Sequence, residues 1–249
     1  MAITIKSERE IELMAEAGKI LERVHNELEK ALHPGMSTKD IDTLGEKIIR
    51  SYGCIPSFLN YNGYPASICV SVNQEVVHGI PDKHRIIHEG DIVSLDAGVI
   101  YKGYHSDAAR THAVGEVSEE AKKLIQVTKE CFFEGIKYAK AGNHLFDISG
   151  AIGRYAEERG YGVVRDLCGH GIGTALHEAP EIPNYEVGRK GVKLRPGMTL
   201  AIEPMINIGT YEVDWLDDDW TVVTDDGSLS AHYENTVLIT KDGCEILTL

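Results

Sequence analysis

Between Cys168 and Pro180 the chain reads Cys-Gly-His-Gly-Ile-Gly-Thr-Ala-Leu-His-Glu-Ala-Pro. Gly169, Gly171 and Gly173 surround His170, and a second imidazole, His177, follows on the same stretch. An imidazole can ligate a metal, carry a proton or donate a hydrogen bond near neutral pH. Glycine lets backbone approach a ligand closely or adopt positive φ, and it weakens helix and strand interiors. The pattern therefore predicts His170 on irregular backbone, presented to something. Taken alone, the stretch reads equally as a flexible Gly-rich turn with two incidental histidines. The carboxylates elsewhere tip the balance.

Asp96 lies within the apolar run Asp91–Ile100, where aspartate is depleted. A buried carboxylate without a partner is costly unless it takes up a proton. Asp107 follows beyond a Lys102-Gly103 turn, which sets the two roughly across a hairpin from each other. Directly opposite side chains have Cβ atoms ~5 Å apart, and two like charges at that distance call for a cation between them. Glu203, in Ala-Ile-Glu-Pro, and Glu234, in Tyr-Glu-Asn-Thr, repeat the arrangement in the second half of the chain. Four carboxylates and one imidazole read as a two-metal site whose ions activate a water between them. An oxygen-rich set with one nitrogen and no sulfur suits manganese, iron or cobalt better than structural zinc.

These side chains need elements to hold them. Ser7 with Glu10 forms a capping box ahead of a helix running to about Ala31, with Ile11, Met14, Gly18, Leu21, Val24, Leu28 and Leu32 along one face. Ser37 or Thr38 caps a second helix ending near Gly53, with Ile41, Leu44, Ile48 and Ile49 inward. An aromatic loop through Phe58, Tyr61 and Tyr64 leads to a strand at Ser67–Val72, and the hairpin carrying Asp96 and Asp107 follows. Ser118 opens a third helix (Leu124, Val127, Cys131 and Ile136 inward), and a fourth spans about Phe146 to Arg159. Continuous strands are predicted at Met198–Ile206 and Ser230–Thr240. An internal repeat relates Pro34-Gly35, Asp40-Ile41 and Gly53 to Ala141-Gly142, Asp147-Ile148 and Gly160, and the same step carries Asp96 onto Glu203. The expectation is one α+β domain over 1–249, built as a pseudo-twofold pair of halves at about 7–113 and 114–249.

Composition limits the function classes. The chain has 249 residues and a formal charge of −14, which disfavours a nucleic-acid surface. No apolar run reaches membrane-span length, and the start has no basic-then-apolar leader pattern. Cys54, Cys69, Cys131, Cys168 and Cys244 are odd in number and scattered, which argues against a disulfide framework and for a reducing, cytoplasmic compartment.

The motif Cys168-Gly-His-Gly-Ile-Gly, with His177-Glu-Ala-Pro, Ile202-Glu-Pro-Met, Asp96 and Ser106-Asp107, resembles the type I methionine aminopeptidases, over essentially the whole chain. The compact length resembles the bacterial short form. The resemblance implies the pita-bread fold and removal of an N-terminal methionine ahead of a small residue. It implies Asp96, Asp107, His170, Glu203 and Glu234 as ligands of two divalent ions (cobalt, manganese, iron or zinc), with Asp107 and Glu234 bridging. His78 and His177 would contact substrate and Glu203 would carry the proton. The methionine pocket would be Tyr61, Tyr64, Cys69 and Trp220. Phe58 stands where family members often carry a small or sulfur-bearing residue, and Leu176 where they often carry an aromatic one. Near Asn73 and Ser230 the alternatives are a monovalent-cation site and ordinary turn backbone. Partners would be nascent polypeptide N-termini and peptides, with transient ribosome contact as a further expectation and a monomer as the default. Two other readings stand beside this one: a proline-directed aminopeptidase of the same fold, and a non-catalytic peptide-binding relative. The chain's own start, Met1-Ala2, fits the substrate class.

Overall fold

The computed structural model describes residues 3–249, so the fate of Met1 lies outside the described residues. The first half comprises α1 (Glu8–Ala31), α2 (Thr38–Ser51), β1 (Ile55–Pro56), β2 (Ile68–Val72), β3 (Glu75–Val77), β4 (Ile92–Tyr101) and β5 (Tyr104–Ala113). The second comprises α3 (Glu119–Ile136), α4 (Leu145–Glu157), β6 (Gly162–Val163), β7 (Gly169–Gly171), β8 (Glu178–Ile182), β9 (Thr199–Ile202), β10 (Met205–Asn207), β11 (Val213–Trp215), β12 (Val222–Thr224), β13 (Ser230–His232), β14 (Asn235–Ile239) and β15 (Cys244–Ile246).

The helix starts follow from their caps. Ser7 accepts from the Glu10 amide while the Glu10 carboxylate accepts from the Ser7 amide, and Ser37 with Asp40 repeats the exchange. Satisfying otherwise orphaned amides this way is worth ~1 kcal/mol per cap. Met14, Ala17, Leu21, Val24 and Leu28 turn inward from α1, whereas Ile11 and Leu32, at the ends of the predicted stripe, are only half-buried. Leu44, Val127 and Ile136 are likewise half-buried, at the margins of their helix faces.

Each half packs its helix pair against its own strands. Leu21, Val24, Ile41, Ile49, Ile68, Leu95 and Val99 fill the first core. Leu124, Phe132, Ile148, Ile152, Leu200, Ile206 and Val237 fill the second. One sheet runs β1-β4-β2 with β5 added on β4; another runs β15-β14-β9-β7-β8, and all pairings are antiparallel. The repeat is visible in backbone detail. Gly35 and Gly142 have φ of 94° and 96°. The isolated bridges Ser37↔Ile86 and His144↔Lys193 are related by the same step along the chain.

Two predicted strands are interrupted. Met198–Ile206 breaks at Glu203-Pro204, because Pro204 has no N–H for a ladder and the Glu203 carbonyl accepts from Asn184 Nδ2 at 3.0 Å. Ser230–Thr240 breaks at Tyr233-Glu234, where the Glu234 backbone turns to Ala109 of β5 instead. Both breaks fall at candidate ligands.

Candidate metal centre

The hairpin β4–β5 supplies two carboxylates. Its turn is the two residues Lys102 and Gly103, both at positive φ (49° and 87°), and Tyr101 pairs with Tyr104. That is the handedness that matches twisted strands. The register pairs Asp96 with Ala109 and Gly98 with Asp107. The two carboxylates are therefore diagonal neighbours on one face, two residues from directly opposite, in keeping with the rough cross-strand placement expected.

His170 lies in a short strand, β7, in the interior of the five-stranded sheet, and it is buried. The expected irregularity is there as a shift in register against β8 between His170 and Gly171. The glycines also serve close packing: a Cβ on Gly171 would press on the Ala179 carbonyl oxygen. His170 Nδ1–H donates to the Gly171 carbonyl at 2.9 Å, which leaves the Nε2 lone pair free. That lone pair faces Glu203 Oε1 at 3.6 Å and Asp107 Oδ2 at 3.9 Å. A ring nitrogen tied to a carbonyl with its partner free is the arrangement of a metal-ligating histidine.

Asp107, His170 and Glu234 each offer a ligand atom, all within 4.8 Å of one another. Asp96 and Glu203 join them at the edge of the same cavity. Asp96 Oδ1, Asp107 Oδ1 and Glu234 Oε1 are buried without any hydrogen-bond partner. Burial raises the proton affinity of all four carboxyls, and they repel one another. Asp96 is pushed up by burial and then by Asp107 and Glu203; Glu203 by burial and then Asp107; Glu234 by burial, then Asp107, Glu203 and Asp96; Asp107 by burial to about 7. Burial holds His170 at about 3, so it is neutral and able to donate its lone pair. Unpartnered acceptors, mutual repulsion and a free imidazole nitrogen fit divalent cations of the oxygen-preferring kind.

The cavity, about 310 Å³, continues from the carboxylates into an apolar end. Phe58, Tyr61, Tyr64, Cys69, Leu176 and Trp220 line it, with His78 and His177 between the two ends. Trp220 meets Tyr64 edge-on at 5.1 Å and His78 at 6.3 Å between ring centroids. His78 has φ 59°, a left-handed backbone that non-glycine residues seldom adopt and that functional sites tolerate. Burial lowers its pKa to about 4. His177 stands at the rim, 4.2 Å from the His170 ring, with Nδ1 2.8 Å from the Tyr61 hydroxyl. Its neighbour Glu178 is held by Lys6 at 2.6 Å.

All thirteen residues predicted for the site thus border one cavity. Sequence reading missed Asn62, Val77, Asp166, Leu167 and Met205, which also line it. Only proximity to quoted motifs could have flagged them: Asp166 and Leu167 precede Cys168, and Met205 follows Glu203-Pro204. Away from the cavity, the Asn73 carbonyl accepts from the Ser230 amide at 2.9 Å, so these two residues do meet.

Fold and site together define a metal-dependent peptidase. The profile of metallopeptidase family M24 matches residues 12–241. The chain belongs to that family, and its fold is the curved α+β pita-bread. It is 60% identical to a methionine aminopeptidase of Clostridium acetobutylicum, covering 99% of both chains. It is 50% identical to methionine aminopeptidase 1 of Bacillus subtilis, again over 99% of each. The crystal structure of a Thermotoga maritima methionine aminopeptidase superposes with a TM-score of 0.97 at 48% identity over 99% of both chains. A Bacillus anthracis Xaa-Pro dipeptidase superposes at 0.78 and 28%, and this chain covers 61% of it.

Proposed function

We propose that this chain is a methionyl aminopeptidase, working as one catalytic domain that removes an N-terminal methionine when the second residue is small. The observation that carries the reading is the continuity of one cavity from a buried carboxylate cluster to an end lined by aromatic rings and a thiol. A thioether gains about 0.3–1.5 kcal/mol from each good sulfur–aromatic contact, so Tyr64, Trp220 and Cys69 suit methionine. The identities to named methionine aminopeptidases support the same reading.

Asp96, Asp107, His170, Glu203 and Glu234 would hold two divalent ions, drawn from cobalt, manganese, iron or zinc. Bound there, such ions supply Lewis acidity and an activated water. The remaining work falls to side chains. The Tyr61 hydroxyl donates to His177 Nδ1, which fixes the tautomer with the proton on Nε2, turned to the substrate carbonyl. His78, neutral through burial, offers a second N–H. Glu203, on the cavity wall beside His170, would take a proton from the attacking water and deliver it to the leaving amine. His177 and Leu176 crowd the position of the second residue. Asn73 and Ser230 are proposed as a monovalent-cation site. Nascent chain termini would be the substrates, with the protein a cytoplasmic monomer that visits the ribosome. Among the described residues no helix is long and apolar enough to cross a membrane.

The test is a peptide panel under several added metals. Met-Ala-x should be cleaved, while Met-Lys-x and acetylated Met-Ala-x should not. Comparable turnover of Leu-Ala-x and Met-Ala-x would defeat the thioether pocket, and preference for x-Pro-x would move the chain to the proline-directed branch.

A further inference from the structure

The two halves of the molecule meet along a seam that lies directly behind Asp107 and Glu234. At its centre Ala109 and Glu234 exchange backbone hydrogen bonds, Glu234 N–H to Ala109 O at 3.0 Å and Ala109 N–H to Glu234 O at 3.4 Å. On either side the pattern changes. The Asp107 amide donates to the Thr236 hydroxyl at 2.9 Å, and that hydroxyl donates back to the Asp107 carbonyl at 2.9 Å. The His232 amide donates to the Thr111 hydroxyl at 2.8 Å, and that hydroxyl donates to the His232 carbonyl at 2.9 Å. One threonine from each half thus stands in for a whole peptide unit of its partner strand.

The substitution is forced by what else these strands bond. The Thr236 amide goes to Thr248 Oγ1 and its carbonyl takes the Leu247 amide, so only the hydroxyl is left for β5. Thr111 pairs with Ser94 within the first-half hairpin, and its hydroxyl also meets Ser94 Oγ at 2.8 Å. A hydroxyl in the ladder adds a Cβ–Oγ bond between strands that a direct pair joins by a single N–H···O contact. Arg110 closes the seam: it donates to the Ala109 and Glu234 carbonyls, to Asn235 Oδ1 at 2.6 Å and to the Thr248 carbonyl at 3.2 Å.

We propose that Thr111 and Thr236 are positioning residues for the metal centre, their paired hydroxyls setting the width of the seam and with it the separation of Asp107 from Glu234. The inference rests on the metal-centre reading above. A direct backbone pair at either station would draw one carboxylate toward the other half; loss of the hydroxyl would leave the Asp107 or His232 peptide unit without partners. Either change alters the space between ligands from opposite halves, which within this cluster lie no more than 4.8 Å apart.

The experiment compares chelator-stripped wild type with Thr111→Val, Thr236→Val, Thr111→Ser, Thr236→Ser and Thr128→Val. Thr128 is a buried threonine on α3 whose hydroxyl donates to the Leu124 carbonyl of its own helix and takes no part in the seam. Each protein is titrated calorimetrically with cobalt(II), and the visible absorption of the cobalt-loaded form is recorded. The Val variants at the seam should bind cobalt about 10–100-fold more weakly, the usual cost of losing an outer partner of a ligand, with an altered cobalt spectrum. Both Ser variants and Thr128→Val should match the wild-type isotherm and spectrum. Wild-type isotherms and spectra in the seam Val variants would overturn the proposal while leaving the metal centre intact. Wild type that takes up no cobalt would instead overturn the metal-centre reading. If the Val variants fail to fold, the Ser variants decide: retained binding supports the hydroxyl as the operative group, and binding weakened tenfold or more refutes it.

Discussion

The two halves of the molecule each pair two helices with antiparallel strands and share the glycine turns at Gly35 and Gly142, yet they present their carboxylates differently. The first half carries Asp96 and Asp107 on a continuous hairpin of two ten-residue strands, β4 and β5. The second half sets Glu203 and Glu234 at two interruptions, one between β9 and β10 and one between β13 and β14. A regular hairpin fixes side chains by register alone. A broken strand frees backbone groups, and here they are spent on Asn184 and on the opposite half. The first half is therefore a rigid plate, and the second folds its ligands down onto it.

If the halves are equal contributors, removing one bridging charge from either should be equally severe. Asp107→Asn and Glu234→Gln should each lose more metal affinity and activity than the 10–100-fold typical of an outer partner, with far-UV circular dichroism unchanged. A large loss in one variant only, measured by metal content and peptide turnover, would make the centre asymmetric.

Stripping the ions should expose the repulsion between halves. The raised carboxyls hold protons in the folded, metal-free protein that the unfolded chain has already released. Folding stability of that form therefore falls as pH rises from the ordinary carboxyl values of 3.8 and 4.5 through the value of about 7 at Asp107. His25 and His232, held at about 3 by burial, have the opposite sign and oppose this trend in part. The gap in thermal midpoint between loaded and stripped protein should widen between about pH 5 and pH 7. A gap independent of pH would mean that the carboxyls are not the groups the ions compensate.

Smaller effects sharpen the comparison. Trp220 comes from the second half and closes a pocket whose Tyr64 and Cys69 come from the first. Trp220→Ala should lower kcat/KM for Met-Ala-x peptides by about 10–200-fold, the scale of an apolar pocket contact. Gly35→Ala and Gly142→Ala should each cost about 1–2 kcal/mol in denaturant unfolding, from left-handed backbone strain. An added Cβ meets nothing within 4 Å at either position, so the two costs should match. A mismatch would show that the turns differ in context despite equal φ.

Much of this was readable before any coordinates. Ser7, Ser37 and Ser118 announced helix starts because caps are local chemistry, and the repeat was visible as matched turn and ligand positions. The hairpin and its Lys102-Gly103 turn are legible in the sequence, whereas the register is set in the structure by the Tyr101↔Tyr104 pair. At His170 the glycines read as irregular backbone, and the structure has both that irregularity, a register shift at His170/Gly171, and a close approach to the Ala179 carbonyl that sequence alone does not show. The break at Glu203 is signalled locally by Pro204, which cannot donate to a ladder, whereas the break at Glu234 depends on Ala109, remote in sequence.

The seam also has a consequence for how the protein is made. Asp107 is fastened to Thr236 across 129 residues, and Arg110 to Thr248 across 138. During synthesis the first-half hairpin can form long before its partner strand exists, since its contacts are local. Until residue 248 has emerged, Arg110 lacks one of its anchors and β14 lacks the neighbour that occupies its amides. The two acidic side chains of the plate must wait, hydrated and apart from their counterparts, until the second half through Thr248 has folded onto the first.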